Sequence, residues 1–322
     1  MTRRVKKKNF KERNCMNEIV DPEGYVPATD HPKWNQSLVC HCYDPDTKVG
    51  CFIRVGIQEN LNESNTWFVF FKDGKPLFTR ANMNLPYTPE RMNPGMKIAG
   101  MEITVLEKLN KVRVQFDEAD FACDLVWEGI FNPPMKDCVE MSQDEDGSFA
   151  REMMNVHLEG PYRITGSITI RNKETIDING TGYRDVSYGP RNWDAMQHYR
   201  LAWPYFPERN ITFAIVHGVS TDNHSAYLKM MHDGEDWIGI KSVDAKNTYG
   251  EDDMAIKTMD WTIVDEKDRT WQFTAKYIFN WLFPLDTFVL TEQFMEYTLS
   301  DGSVGYGLAE SGYRLPWEGN GG

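Results

Sequence analysis

Val112-Arg113-Val114-Gln115-Phe116 alternates apolar and polar side chains one by one, and Trp271-Gln272-Phe273-Thr274-Ala275 repeats the pattern far down the chain. A side-chain period of two belongs to a strand with one buried and one polar face. Outward from these two stretches, strand-like runs extend over Thr66 to Phe71, Met101 to Leu106, Phe121 to Trp127, Ile164 to Arg171, Ile211 to Val219, Ala226 to Met230, Met259 to Val264 and Phe288 to Leu299. Turn signals separate such runs, among them Asp44-Pro45, Asp73-Gly74, Asn110-Lys111, Asn179-Gly180, Asp233-Gly234 and Asp301-Gly302. Few segments sustain a period of about 3.6, so the pattern indicates an all-β, antiparallel protein built as barrels or sandwiches.

The chain has 322 residues, enough for about two domains. Asn132 to Ala150 holds Pro133-Pro134 and the acidic run Asp144-Glu145-Asp146. Such residues mark exposed linkers. The expected division is therefore a basic, flexible tail over 1–17, a β-domain over 18–150 and a second over 151–322, each long enough for one barrel.

Aromatic residues make up 13% of the chain and suit wide β-interiors. The formal net charge of −13 argues against a nucleic-acid partner. The exception is Arg3-Arg4-Val5-Lys6-Lys7-Lys8 with Lys11 and Arg13, which reads as a solvated tail. No apolar run follows it, as a secretion signal would require, and none approaches the roughly 18 residues of a membrane helix. A cytoplasmic setting with reduced thiols is expected, without stable membrane insertion, and a homodimer is compatible with the composition.

Six cysteines are present. Cys40-His41-Cys42 and Cys51 flank the Asp44-Pro45-Asp46-Thr47 turn, so a hairpin would bring them together. Alternation places Cys40 and Cys42 on one face and His41 on the other. That splits the ligands and lacks paired CxxC spacing, so buried thiols are expected rather than a metal site.

Charged and aromatic residues concentrate between Gly180 and Phe206. If Gly182 to Gly189 is extended, Tyr183, Asp185 and Ser187 face one side, and Arg184, Val186 and Tyr188 the other. Pro190 stops pairing, which leaves Arg191-Asn192-Trp193 on a turn at the mouth of a barrel. A buried ion-pair network of Arg184, Asp185 and Arg191 is one account of these charges, and an enclosed ligand site is the other.

The stretch Gly182-Tyr-Arg-Asp-Val-Ser-Tyr-Gly-Pro-Arg-Asn-Trp193 resembles the Gly-x-Arg-Asp-His-Ser-Trp-Gly-x-Arg-x-Trp signature of a bacterial family of unassigned function. That family is similar to carotenoid hydratases (hydroxyneurosporene synthases), AttH-like proteins and fungal decalin-forming Diels–Alderases. His157-Leu-Glu159 matches its His-x-Glu segment, and Gly305-Tyr-Gly307-Leu-Ala-Glu310 its closing strand. The resemblance implies two lipocalin-like (calycin-like) antiparallel β-barrels side by side, a lipophilic ligand held between or within them, and cofactor-free chemistry on isoprenoid or polyketide chains. Asp185 retains the family's acid. Val186 stands in place of the family's His and Tyr188 in place of its Trp, which leaves His157 and His198 as proton carriers.

The expected catalytic residues are thus Asp185, His157 and His198. Arg184, Tyr188, Arg191, Trp193, Trp203, Tyr205 and Glu310 are expected to bind a lipophilic, terpenoid-like substrate, with no metal and no cofactor. Hydration, dehydration and isomerisation share one route: a proton reaches a double bond or tertiary alcohol, and ring faces steady the cation. A carrier without chemistry, or a template that acts by shape, would need the cavity but not the acid. No dinucleotide fingerprint, P-loop, HExxH or Gly-x-Ser-x-Gly elbow occurs.

Overall fold

Asp44 sets the first hairpin. Its Oδ1 accepts the backbone N–H of Asp46 at 3.0 Å and of Thr47 at 3.4 Å, and Lys48 turns the chain at φ 55°. This Asx turn joins β1 (Trp34–Asp44) to β2 (Val49–Gln58), with Cys42 opposite Cys51. The computed structural model describes residues 23–24, 26–87, 95–132, 135–137, 148–153, 156–251, 254–285 and 287–316. The basic tail, Cys15, Cys138 and the acidic run at 144–146 lie outside them.

The chain continues through β3 (Glu63–Lys72), β4 (Lys75–Pro86), β5 (Gly95–Ile98), β6 (Met101–Glu107), β7 (Lys111–Asp117), β8 (Phe121–Gly129) and β9 (Met135–Asp137). A short helix, α1 (Ser148–Met153), precedes the long hairpin of β10 (Val156–Ile170) and β11 (Glu174–Pro190). Then come β12 (Met196–Phe206), β13 (Ile211–Ser220), β14 (Ser225–His232), β15 (Trp237–Tyr249), β16 (Ile256–Asp265), β17 (Thr270–Leu285), β18 (Phe288–Leu299) and β19 (Val304–Arg314).

Two antiparallel sheets result. The first runs β4-β3-β2-β1-β11-β10-β8-β7-β6-β5, with β9 on β10. It bends until its ends approach: Phe78 stacks on Phe121 at 4.6 Å, and Arg80 pairs with Glu118. Among the described residues no ladder joins β4 to β5, so this unit is a half-barrel. The second sheet closes, β12 to β19, into an eight-stranded barrel. The all-β, two-unit expectation holds, and every strand-like run named from the sequence lies in a strand except for Arg171, which begins the turn after β10.

The alternation of each strand divides its side chains between layers. Leu38, Cys40, Phe68, Trp127 and Val186 fill the half-barrel, with Cys42, Cys51 and Cys123 also buried there as free thiols. Phe213, Trp261, Phe273 and Tyr297 fill the closed barrel. A third core lies between the units, where Phe52, Trp67, Phe71 and Tyr183 meet Trp203, Phe279, Phe283 and Phe294. Each fully buried aromatic contributes about 1.5–3 kcal/mol relative to exposure, so the two units are bound by a core of their own.

Two expectations need correction. The seam between sheets falls at residues 191–195, not near residue 150, because β10 and β11 complete the first sheet by pairing with β8 and β1. Asn179-Gly180 is not a turn either. The β10–β11 turn lies at residues 171–173, and Asn179 and Gly180 sit within β11, where the Asn179 N–H donates to Asp44 Oδ2 at 3.0 Å. A Cβ on Gly180 would stand 2.5 Å from the Tyr43 carbonyl, so this glycine serves close approach rather than reversal. Among the described residues no helix is long and apolar enough to cross a membrane.

Candidate active site

Register places the charged side chains. His157 on β10 lies opposite Ser187 on β11, which lies opposite Ser37 on β1. One row along, Glu159 lies opposite Asp185, and Asp185 opposite Val39. Cross-strand partners share a face, so His157, Glu159, Asp185 and Ser187 all point from the half-barrel toward the closed barrel. The facing wall has its own row: Leu201 of β12, Glu310 of β19 and Glu292 of β18 are in register. The β11 alternation inferred from the sequence is present, and no register shift interrupts β11.

Between the walls is a cavity of about 160 Å³, room for a group the size of a benzene ring. Phe52, Leu201, Leu228 and Leu290 give it an apolar lining, and Phe149 and Met153 of α1 cover one side. The helix is tied to the seam by Asn192, whose N–H donates to the Glu152 carbonyl at 2.9 Å and whose Nδ2 donates to Glu152 Oε2 at 2.8 Å.

His157 Nε2 and Asp185 Oδ2 are in direct contact, and Glu159 Oε2 is 3.4 Å from the same nitrogen. All three residues are buried. Burial pushes the Asp185 carboxyl up, against the pull of His157, Arg191 and Arg54. Burial pushes the His157 imidazole down, against Asp185. Each group is thus driven toward its neutral form while its partner favours the charged one, the setting in which a proton moves readily between two atoms. Arg191 Nη2 donates to Ser187 Oγ at 2.9 Å, and Ser187 Oγ lies 3.0 Å from Ser37 Oγ, so the guanidinium is anchored beside Asp185. Arg54 donates to Asn65 Oδ1 at 2.5 Å and lies over Trp67, 4.6 Å from the ring centre.

The facing carboxyls differ. Burial lifts Glu292 to about 8, opposed only by Arg54, and Asp185 adds to the rise. Glu310 is also lifted to about 8, with Arg54 and Arg191 opposing. Beneath them His41 is stacked between aromatic rings, 5.7 Å from Tyr183 and 6.1 Å from Trp203. Neither ring nitrogen of His41 has a hydrogen-bond partner among the described residues, and burial lowers its pKa to about 3.

Of the residues expected from the sequence, Asp185, His157, Arg191, Trp193, Trp203 and Glu310 line the cavity. Arg184 does not: it points into the half-barrel, pairs with Glu23 and lies 6.0 Å from the Tyr162 ring centre. Tyr188 packs on Trp34, and Tyr205 donates to Asn210 Oδ1 at 3.2 Å. His198 points away beside His217, because its neighbour Tyr199 takes the cavity face. Arg54 and Glu292 were not singled out from the sequence, nor was α1; Glu159 entered only through the His-x-Glu match and Ser187 only through the strand face it shares with Asp185. The one local signal was Thr291-Glu292-Gln293, three polar residues inside an apolar strand.

His157, Glu159 and Asp185 are also the described residues whose spacing could admit a divalent cation, with ligand atoms within 4.8 Å of one another. The imidazole nitrogen a cation would take is the one paired with Asp185. Without a cation, the trio forms an acid–base set joined by the His157–Asp185 contact.

Solved structures share this architecture. An AttH candidate (NE1406) from Nitrosomonas europaea is 14% identical, with 91% of this chain and 95% of that one covered and a TM-score of 0.62. Kievitone hydratase from Nectria haematococca is 10% identical over 87% of this chain and 88% of that one, with a TM-score of 0.57. CghA is 11% identical over 92% and 95%, with a TM-score of 0.58. At these identities the likeness shows a common fold, and it is the fold that the AttH-like and hydratase resemblance of the sequence implied. No curated protein sequence matches. A family model described as a domain of unknown function, DUF7064, matches residues 23–313, and the chain belongs to that family.

Proposed function

We propose that this protein is a cofactor-independent lyase or isomerase that hydrates, dehydrates or isomerises a lipophilic, terpenoid-like molecule by moving a proton to or from carbon. The observation that carries this is the His157–Asp185 contact, buried at the wall of an apolar cavity. A carrier would need the apolar lining alone, and burying an ionisable pair beside further acids destabilises a fold that only binds. A carbocation formed in the cavity would rest against the faces of Trp193 and Trp203, each ring contributing about 0.5–2 kcal/mol. Kievitone hydratase among the structural neighbours fits a hydratase or lyase type of activity.

Native mass spectrometry of the purified protein, followed by solvent extraction, identifies the occupant of the cavity. An isoprenoid or similar chain is the expected result. Incubated with that molecule, wild type converts it, and Asp185→Asn lowers turnover by about 10²–10⁴-fold. Unchanged release of the molecule by wild type would leave a carrier, and full turnover by Asp185→Asn would remove Asp185 from the chemistry. Metal analysis of the same sample returns no stoichiometric divalent ion if the route is cofactor-free.

A further inference from the structure

Hydration of a double bond needs two groups in opposite states: an acid that still holds its proton, and a base that is free to take one from water. The two walls of the cavity differ in this respect. Burial raises the Asp185 carboxyl, but four groups oppose that rise and favour its carboxylate: His157 in contact, Arg191 and Arg54 nearby, and the Ser187 hydroxyl. Its Oδ1 is buried without a hydrogen-bond partner among the described residues. Glu292 stands on the closed barrel, 2% exposed; among the described residues Arg54 is its one opposing cation and its Oε2 is also without a partner. Glu310 is next to it in register and lines the same cavity. The charged or titratable groups that face the pair are Arg54 of β2, His157 and Glu159 of β10, Asp185 of β11 and Arg191 at the seam, together with the phenols of Tyr199 and Tyr227.

We infer that Glu292, supported by Glu310, is the proton donor, and that Asp185 with His157 is the base on the opposite wall. This rests on the acid–base reading given above and assigns its two roles. In the step, the Glu292 carboxyl proton forms a C–H bond as the π bond breaks, leaving Glu292 as carboxylate and a cation on the adjacent carbon. A water oxygen bonds to that carbon and gives its proton to Asp185 Oδ1. The proton returns from Asp185 to Glu292 through solvent, so the sum is alkene plus water to alcohol. Dehydration is the reverse. The substrate class follows: a neutral, apolar alkene or alcohol whose reacting carbon fits between the carboxyl walls, since Phe52, Leu201, Leu228 and Leu290 would leave an anionic group poorly solvated.

Infrared spectroscopy of the full chain in heavy water, from about pH 6 to about pH 10, tests where the proton resides. Wild type should show a protonated-carboxyl band at neutral pH that disappears near pH 8. Glu292→Gln should remove part of it, Glu292→Gln with Glu310→Gln all of it, and Asp185→Asn none. A band that survives the double change, or that only Asp185→Asn removes, overturns the assignment. Gln mimics a neutral carboxyl, so the variants should fold, and Glu310→Gln alone is a second check. With farnesol as probe, deuterium uptake from heavy water should fall about 10²–10⁴-fold in Glu292→Gln. Uptake at the wild-type rate in Glu292→Gln overturns this inference and leaves the proposed function standing. A wild type inert toward farnesol counts against the proposed reaction, while the infrared band still decides which carboxyl holds the proton.

Discussion

His41 and Glu292 are buried in opposite senses, and each leaves a separate mark on stability. His41 is held neutral, with its pKa near 3 against the usual 6.5. The unfolded chain therefore takes up a proton that the fold refuses, and stability is lost as pH falls from about 6.5 toward 3. His41→Phe keeps the stack with Tyr183 and Trp203 and removes the titration. Its urea midpoint should vary less than that of wild type over that window. Glu292 runs the other way: its pKa rises from 4.5 to about 8, so stability is greatest below 4.5 and declines as pH climbs to about 8. Glu292→Gln should flatten that decline and stabilise the protein at pH 8. An unchanged slope would mean that the carboxyl is solvated.

At the scale of the strand, Gly182 decides how closely β11 lies on β1. A Cβ there would stand 1.9 Å from the His41 carbonyl oxygen, so Gly182→Ala must spread the two strands. Because the same strand carries Asp185, the variant should lose turnover and also unfold at lower temperature, and a wild-type melting curve would refute the packing argument. Much at this scale was legible in advance. Period two in β11 separated Asp185 from Arg184, and period two in β1 separated Cys40 and Cys42 from His41. Two signals misled because tertiary pairing overrode local chemistry. Asn179-Gly180 has the composition of a turn, yet β11 runs through it against Tyr43. Pro133-Pro134 and the acidic run suggested a border, but local composition says nothing about which sheet the next strand joins. Glu292 could not be assigned from its neighbours in sequence, since its surroundings come from β2, β11 and β19, strands distant along the chain.

For the molecule as a whole, the core between the units should make them unfold together. Phe71 stacks on Phe279 and Trp67 on Phe283, both at 4.3 Å, across that boundary. Phe71→Ala should cost about 3–5 kcal/mol while leaving a single calorimetric transition, and two resolved transitions in wild type would show the units to be independent. The arrangement has a further consequence. The imidazole, Asp185 and Glu159 are fixed to the half-barrel, and Glu292 and Glu310 to the closed barrel, so neither unit contains the proposed constellation by itself. A slip of one unit along the other by a single residue, about 3.4 Å, would leave every strand intact and part the groups that exchange the proton. If the proposed reaction holds, its rate is then a finer gauge of how the two halves are seated than any measure of β-content.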